Sequence, residues 1–146
     1  MNQKEILDML KNKGMKITPQ RIEIVKTLLE LRDHHPSLKE LYEEVKKKVP
    51  TISFSTLYST IKKLEELGLV KLFDLLGETR IELNKKPHVN LIYIDKGLIT
   101  DVVDDNLLDL LRKKLGVGED SFVLVNVLVY NTRNGDKYRG SRATRR

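Results

Sequence analysis

The hydrophobic pattern of this chain changes from a helical to an extended period at Gly68, and that change restricts the folds available to it. Before Gly68, apolar residues recur at helical spacing in four segments. After it, residues 69–73 and 79–83 have the pattern of extended strands, and a turn with a longer loop is expected between them near Gly77. The first half of the chain is therefore expected to be helical and to end in a β-hairpin.

Cap residues mark where the predicted helices begin. The first helix is expected over residues 2–13, and Thr18, followed by a proline, opens the second. Ser37 forms a capping box with Glu40 at the third helix, and Ser53 caps the fourth. The apolar positions of the fourth helix are Leu57, Ile61, Leu64 and Leu67. Short helices followed by a hairpin are the plan of a winged-helix domain, which predicts an α+β fold.

The second half of the chain is expected to be a small α/β domain. Extended runs are predicted at residues 89–94 and 98–103, and a helix at residues 106–115. Residues 122–130 are almost all apolar, which is typical of a strand buried on both faces. A region of about 45 residues cannot bury such a strand by itself. We therefore expect a homodimer whose sheets join across a two-fold axis.

Polar residues divide the chain into three parts. The stretch 84–87 is polar and contains a proline, so the predicted boundary follows residue 84. This gives a winged-helix domain at residues 1–84 and an α/β dimerisation domain at residues 85–133. Residues 134–146 are rich in arginine and contain little that could be buried, and they are expected to form a basic flexible tail.

Composition excludes several kinds of site. The chain has no cysteine, which excludes disulfides, thiolate nucleophiles and cysteine-ligated zinc, so any metal must be held by nitrogen and oxygen. The formal charge of +6 suggests a polyanionic partner. The sequence shows neither a signal peptide nor an apolar run long enough for a membrane span, and a cytoplasmic protein without a membrane partner is expected.

Several short motifs occur in a fixed order within residues 14–70, at the start of a pattern that continues to about Tyr130. They are GMKITPQR at residues 14–21, HPS at 35–37, ELY at 40–42, SFSTLY at 53–58 and LEELGLV at 64–70. In this order and spacing the chain resembles the ferric uptake regulator family. The resemblance implies a dimeric winged-helix transcriptional repressor, not an enzyme, that binds double-stranded DNA.

The resemblance places the fourth helix in the major groove of DNA. The residues that it would expose there are Ser55, Thr56, Tyr58, Ser59, Lys62 and Lys63. Hydroxyl groups and Tyr58 can reach base edges or thymine methyl groups, and lysines neutralise phosphates. Ser59 stands where the family commonly has Arg or Asn. Alternatively, the lysines of this helix are surface residues that contact only solvent.

Residues outside the fourth helix are also expected to contact DNA. Lys16 and Arg21 resemble the family's backbone or minor-groove contacts, and Lys71 and Arg80 could reach phosphate from the hairpin.

The family resemblance also implies a regulatory metal site. Ligands at matching positions are His35, Glu82, His88 and Asp101, and Asn90 stands where the family usually has another histidine. Such a set suits one divalent ion per chain, namely Fe²⁺, Mn²⁺, Co²⁺, Ni²⁺ or Zn²⁺. The family's cysteine-ligated structural zinc is missing, and with it any thiol-based redox sensing. Alternatively, each histidine is an ordinary core or surface residue and Glu82 a charge on a strand.

Rival functions remain open at this point. The DNA-binding regulator could be independent of metal, because Asn90 is a poor replacement for histidine. A metal-dependent nuclease using His88, Glu82 and Asp101 lacks a nucleophile motif, a phosphate-binding loop and closely paired acids. A winged helix that binds proteins would show no salt-dependent affinity for DNA.

Overall fold

A computed structural model describes residues 1–83 and 86–131. The chain divides into two compact units, Met1–Lys85 and Lys86–Arg146. Within the described residues are five α-helices and two small sheets, which gives an α+β fold, as predicted. The basic tail predicted at residues 134–146 lies outside the described residues. None of the described helices is both long and apolar enough to cross a bilayer.

Four helices make up most of the first unit. They are α1 (Gln3–Asn12), α2 (Pro19–Glu30), α3 (Leu38–Lys48) and α4 (Phe54–Glu66). The predicted caps are confirmed: the side chains of Thr18, Ser37 and Ser53 each accept a hydrogen bond from the backbone N–H three residues on. A cap of this kind stabilises a helix by about 1 kcal/mol.

The helices bury a single apolar core. Its fully buried members are Leu10, Ile24, Val25, Leu28, Leu41, Val45, Leu57, Ile61, Leu64 and Ile81. Each such side chain contributes roughly 1.5–3 kcal/mol by leaving water. The predicted apolar positions Leu57, Ile61 and Leu64 are thus confirmed as core, and their burial fixes which side of α4 faces outward.

The hairpin of the first unit is tighter than expected. Its strands are β1 (Lys71–Leu75) and β2 (Glu78–Glu82), paired antiparallel with Leu75 opposite Glu78. Only Leu76 and Gly77 form the turn, and both have positive φ, at 51° and 82°. The expected longer loop was wrong because leucine rarely adopts positive φ, so the sequence lacks the Asn-Gly signal that usually marks a two-residue turn.

A polar link joins α4 to the hairpin. Gly68 ends the helix with φ of 69°, a conformation that favours glycine. The carboxylate of Glu65 accepts a hydrogen bond from the N–H of Leu72 at 3.0 Å and another from Lys62 Nζ at 2.7 Å. Glu65 therefore holds the first strand of the hairpin to the last turns of α4.

The second unit contains a three-stranded sheet and one helix. Its elements are β3 (Val89–Tyr93), β4 (Leu98–Val102), α5 (Asp105–Leu115) and β5 (Val125–Val129). The strand order is β4-β3-β5, with β4 antiparallel and β5 parallel to β3.

The last strand differs from the expectation. It covers five residues, not the whole of 122–130, and none of the five is buried in the single chain. In the described part of this unit the buried apolar residues are Val89, Ile92 and Leu108. Large exposed apolar residues are Leu98, Val102, Val103, Leu107, Leu110, Leu115, Phe122, Val127 and Tyr130. The unit thus leaves much of its apolar surface in water.

The link through Glu65 predicts a pH-dependent stability. The hydrogen bond from Lys62 lowers the pKa of Glu65, burial opposes this, and the Leu72 N–H adds to the lowering. Because the folded pKa lies below the unfolded value of about 4.3, the stabilisation is present above that value and is lost as pH falls through the folded pKa. Glu65→Gln should destabilise by about 1 kcal/mol at pH 7.

Urea unfolding of wild type and variant from pH 7 to pH 3 measures this difference. The free energies of unfolding should converge toward the acid end. Glu66→Gln is the matched control, because Glu66 pairs with Lys63 at 2.7 Å on the surface of the same helix turn. The role of Glu65 would be contradicted if both variants lost the same free energy of unfolding. It would also be contradicted if the difference between wild type and Glu65→Gln did not change with pH.

Candidate nucleic-acid interface and metal ligands

One face of α4 is exposed. Its buried side consists of Leu57, Thr60, Ile61 and Leu64. The residues exposed on the other side in the first two turns are Phe54, Ser55, Tyr58 and Ser59. The structure therefore leaves the predicted residues Ser55, Tyr58 and Ser59 accessible, and it adds Phe54, which sequence reasoning missed.

Phe54 and Tyr58 form an aromatic pair at the start of α4. Their ring centroids are 6.3 Å apart with an interplanar angle of 23°, and the side chains are 46% and 44% exposed. Tyr42 of α3 supports Phe54 edge-on at 5.6 Å. The spacing of four residues was the available sequence signal, because such residues are neighbours on a helix. Two adjacent large apolar groups held in water indicate a contact surface.

Two predicted hydroxyl groups already have partners within the helix. Thr56 is half-buried, and its Oγ1 accepts a hydrogen bond from Ser53 Oγ at 2.9 Å. The hydroxyl of Ser59 donates to the carbonyl oxygen of Thr56 at 3.1 Å. To donate to a base, Ser59 would have to give up that bond.

The two predicted lysines of α4 are paired with carboxylates. Lys62 Nζ lies 2.7 Å from Glu65, and Lys63 Nζ lies 2.7 Å from Glu66. The hydrogen bond to Glu65 raises the pKa of Lys62, so it is charged at neutral pH. A phosphate contact by either lysine stays a prediction, and it would compete with the existing pair.

The remaining predicted DNA contacts differ in accessibility. Lys16 is exposed, and its carbonyl oxygen accepts a hydrogen bond from Arg21 Nη1 at 2.7 Å. Arg80 Nη1 donates to the carbonyl oxygen of His35 at 2.9 Å, and Nη2 lies 3.1 Å from Glu78. The guanidinium groups of Arg21 and Arg80 thus hold protein groups, and their contacts to DNA stay predictions.

The first unit brings two of the predicted metal ligands together. His35 Nε2 and Glu82 Oε2 are 3.2 Å apart, and both side chains are almost fully buried. His35 follows the short 3-10 turn Arg32–His34 and has left-handed backbone angles, φ 47° and ψ 58°. For a residue with a β-carbon this conformation costs about 1–2 kcal/mol, and it persists only where other interactions hold it.

The second unit brings the other three together. Asn90 and Asp101 are paired across β3 and β4. His88 Nδ1 lies 2.6 Å from the carbonyl oxygen of Lys86, which can only accept, so Nδ1 carries a proton. A metal ion would be bound through Nε2, the ring nitrogen that faces Asn90 and Asp101. Nε2 lies 3.0 Å from Asn90 Oδ1 and 3.9 Å from Asp101 Oδ1.

In each unit, one of these distances fits two ligands of a single metal ion. Metal bonds of about 2.1 Å to nitrogen and oxygen place adjacent ligand atoms about 3.0–3.4 Å apart. The His35 to Glu82 distance of 3.2 Å and the His88 to Asn90 distance of 3.0 Å lie in that range. Asp101 would need a small side-chain movement. Imidazole nitrogen with carboxylate and amide oxygen is a donor set for borderline divalent ions.

Asn90 has a further bond that the sequence did not reveal. It is fully buried, and its Nδ2 donates to Asn126 Oδ1 of β5 at 2.9 Å. The residue in the position of the expected family histidine is therefore tied to the neighbouring strand.

Comparison with known proteins gives consistent matches along the chain. Residues 12–130 match the model of the ferric uptake regulator family. A ferric uptake regulation protein homolog of Archaeoglobus fulgidus is 43% identical over 110 residues, which are 75% of this chain and 84% of that protein.

Solved structures agree with the sequence matches. A Campylobacter jejuni peroxide stress regulator is 34% identical, with a TM-score of 0.64 over 86% of this chain and 95% of the other. A zinc-bound manganese uptake regulator is 26% identical, with a TM-score of 0.65 over 85% of this chain and 98% of the other.

Proposed function

The chain belongs to the ferric uptake regulator family, and from this membership we propose that it is a dimeric repressor whose DNA binding is controlled by a divalent ion. It is a DNA-binding transcriptional regulator and not an enzyme, since its homologues are regulators. Regulators of this family bind DNA and act as dimers in the cytoplasm. We infer the same partners and compartment for this chain.

The exposed face of α4 is the observation that carries the DNA-binding role. A helix that buries Leu57, Ile61 and Leu64 presents a continuous outer side, and its width suits the major groove. Among the positions exposed in its first two turns there is no Arg, Asn or Gln, the residues that make bidentate contacts to guanine or adenine. We therefore propose that readout depends mainly on apolar contact by Phe54 and Tyr58 with thymine methyl groups.

The metal proposal draws on both units. We propose that His35 and Glu82 of the first unit, with His88 and Asp101 of the second, hold one ion per chain. Asn90 or water would complete the ligand set. A bound divalent ion would supply the positive charge that lets imidazoles and carboxylates share one site. DNA binding responds to the ion only if these ligands hold it more tightly in the DNA-competent arrangement of the protein.

The relatives support metal control over the metal-independent alternative. A solved relative is described as zinc-bound and as a manganese uptake regulator, and the Archaeoglobus fulgidus relative as a ferric uptake regulation protein homolog. One observation favours the metal-independent alternative: Asn90 donates a hydrogen bond to Asn126. Tight operator binding in the presence of chelator would favour it.

The aromatic pair makes a prediction about DNA sequence readout. Tyr58→Ala should weaken binding to the operator by about 1–3 kcal/mol and leave binding to random DNA nearly unchanged. Phe54→Ala should weaken operator binding by about 1 kcal/mol for each thymine methyl that it contacts. Gel shifts on the chain's own promoter, compared with random DNA, measure both effects.

Replacing thymine by uracil in the operator tests the methyl contacts directly. The uracil operator should bind wild type more weakly, and Phe54→Ala should then cause no further loss. Ser55→Ala is the matched comparison: Ser55 is exposed on the same turn and lacks a ring, so any loss that it causes should be equal on the thymine and uracil operators. A loss that persists in full on the uracil operator would show that Phe54 does not read the methyl groups.

The proposed metal site gives a separate prediction. Calorimetry with Mn²⁺, Co²⁺ and Zn²⁺ should show one site per chain, and His88→Ala should weaken it more than about tenfold. His34→Ala is the control, because His34 is exposed and lies outside the proposed ligand set. Titrations repeated with operator DNA should show tighter metal binding, since the coupling is reciprocal. Affinity equal in wild type and His88→Ala would remove the site.

The exposed apolar surface of the second unit predicts a dimer. Light scattering at tens of micromolar should give twice the mass of the chain. Val127→Asp, on the exposed edge strand β5, should shift the protein toward monomer, because it places a charge where the partner would pack. Leu76→Asp at the tip of the hairpin is the control and should leave the mass unchanged. A wild-type protein that is strictly monomeric would contradict the proposed architecture.

A further inference from the structure

Arg80 donates a hydrogen bond to the backbone of His35, a proposed metal ligand whose backbone conformation is unfavourable. Its Nη1 donates to the carbonyl oxygen of His35 at 2.9 Å, and His35 is the residue with left-handed backbone angles. The Arg80 side chain is only 18% exposed. A largely buried guanidinium directed at one strained peptide indicates a structural task at that point.

The segment after His35 runs along β2. The carbonyl oxygen of Pro36 accepts a hydrogen bond from the N–H of Ile81 at 2.9 Å, and Ser37 forms an isolated bridge with Arg80. Ser37 also caps α3 through its side chain. The backbone that leaves His35 is thereby fixed to the second strand of the hairpin.

Strand β2 meets His35 with two side chains of the same face. Arg80 and Glu82 are two residues apart, and side chains at that spacing point to one side of a strand. Arg80 contacts the carbonyl oxygen of His35, and Glu82 lies 3.2 Å from its imidazole. Ile81, between them, points into the core and is fully buried. His35 is thus held at its backbone and at its ring by neighbouring positions of one strand.

We propose that Arg80 is a positioning residue of the metal site: its guanidinium holds the left-handed peptide of His35 so that Nε2 faces Glu82. The inference rests on the proposed metal role of His35. It assigns to Arg80 a task different from the phosphate contact expected from the sequence. Glu78, 3.1 Å from Nη2, and Glu40, 3.9 Å from Nη1, balance the charge of the guanidinium.

Metal titration of single variants and one double variant tests the role. Arg80→Met removes the donors and should weaken Mn²⁺ or Co²⁺ binding about tenfold or more, as the loss of a residue that supports a ligand does. Arg80→Lys, which keeps a positive donor, should restore part of the affinity. Glu78→Gln should leave the affinity unchanged, because it removes only the outer ion pair. In a His35→Ala background, Arg80→Met should cause no further loss.

Two measurements without metal complete the test. In long-range ¹H–¹⁵N spectra of the metal-free protein, the ring signals of His35 should shift in Arg80→Met and stay in place in Glu78→Gln. For random DNA in chelator, the dependence of affinity on salt should be the same in wild type and Arg80→Met. If the slope of log affinity against log salt concentration is smaller by about one in Arg80→Met, Arg80 is a phosphate contact and the inference is overturned.

The outcomes separate this inference from the metal proposal. If His35→Ala keeps full metal affinity, the proposed ligand set fails. If His35→Ala loses affinity while Arg80→Met keeps it, the ligand set stands and the positioning role is overturned. Ring signals of His35 that do not respond to Arg80→Met overturn it as well, whatever the metal affinity.

Discussion

Burial of one side of α4 is the constraint on which the DNA-binding face depends. Leu57, Ile61 and Leu64 pack into the core of the first unit, and this packing fixes the rotation of the helix about its own axis. The same three contacts therefore decide that Tyr58 faces outward. Glu65 extends the constraint to the hairpin by accepting the N–H of its first strand. A change in the core can alter DNA recognition without touching a DNA contact.

Much of the fold could be predicted because its signals are local. Thr18, Ser37 and Ser53 each bond a backbone N–H three residues away, so a short stretch of sequence contains both partners. The tight turn at Leu76 could not be predicted, because the tertiary structure imposes a conformation that leucine disfavours. The extent of β5 was overestimated for a related reason. An apolar run does not show where pairing with its neighbour ends.

The candidate site also has features that the sequence predicts and features that it does not. The residue types came from motif order, and the geometry inside the units puts His35 with Glu82, and His88 with Asn90, at distances that two ligands of one ion adopt. The bond of Asn90 to Asn126 joins strands 36 residues apart, and that of Arg80 to His35 spans 45 residues. Neither hydrogen bond could be predicted from the spacing of residues in the sequence. Phe54 was missed because its exposure depends on which surfaces the other helices leave uncovered.

The turn at Leu76 bears on the order in which the first unit folds. Leucine at positive φ gives the isolated hairpin little tendency to form, and a two-stranded hairpin is marginal in water even with a favourable turn. The hairpin gains stability when Leu72 and Ile81 pack against the helices. Because its stability depends on this packing, we expect the hairpin to close after the helices have formed. On the same grounds it opens first, so its amide hydrogens exchange with solvent well before those of α2 and α4.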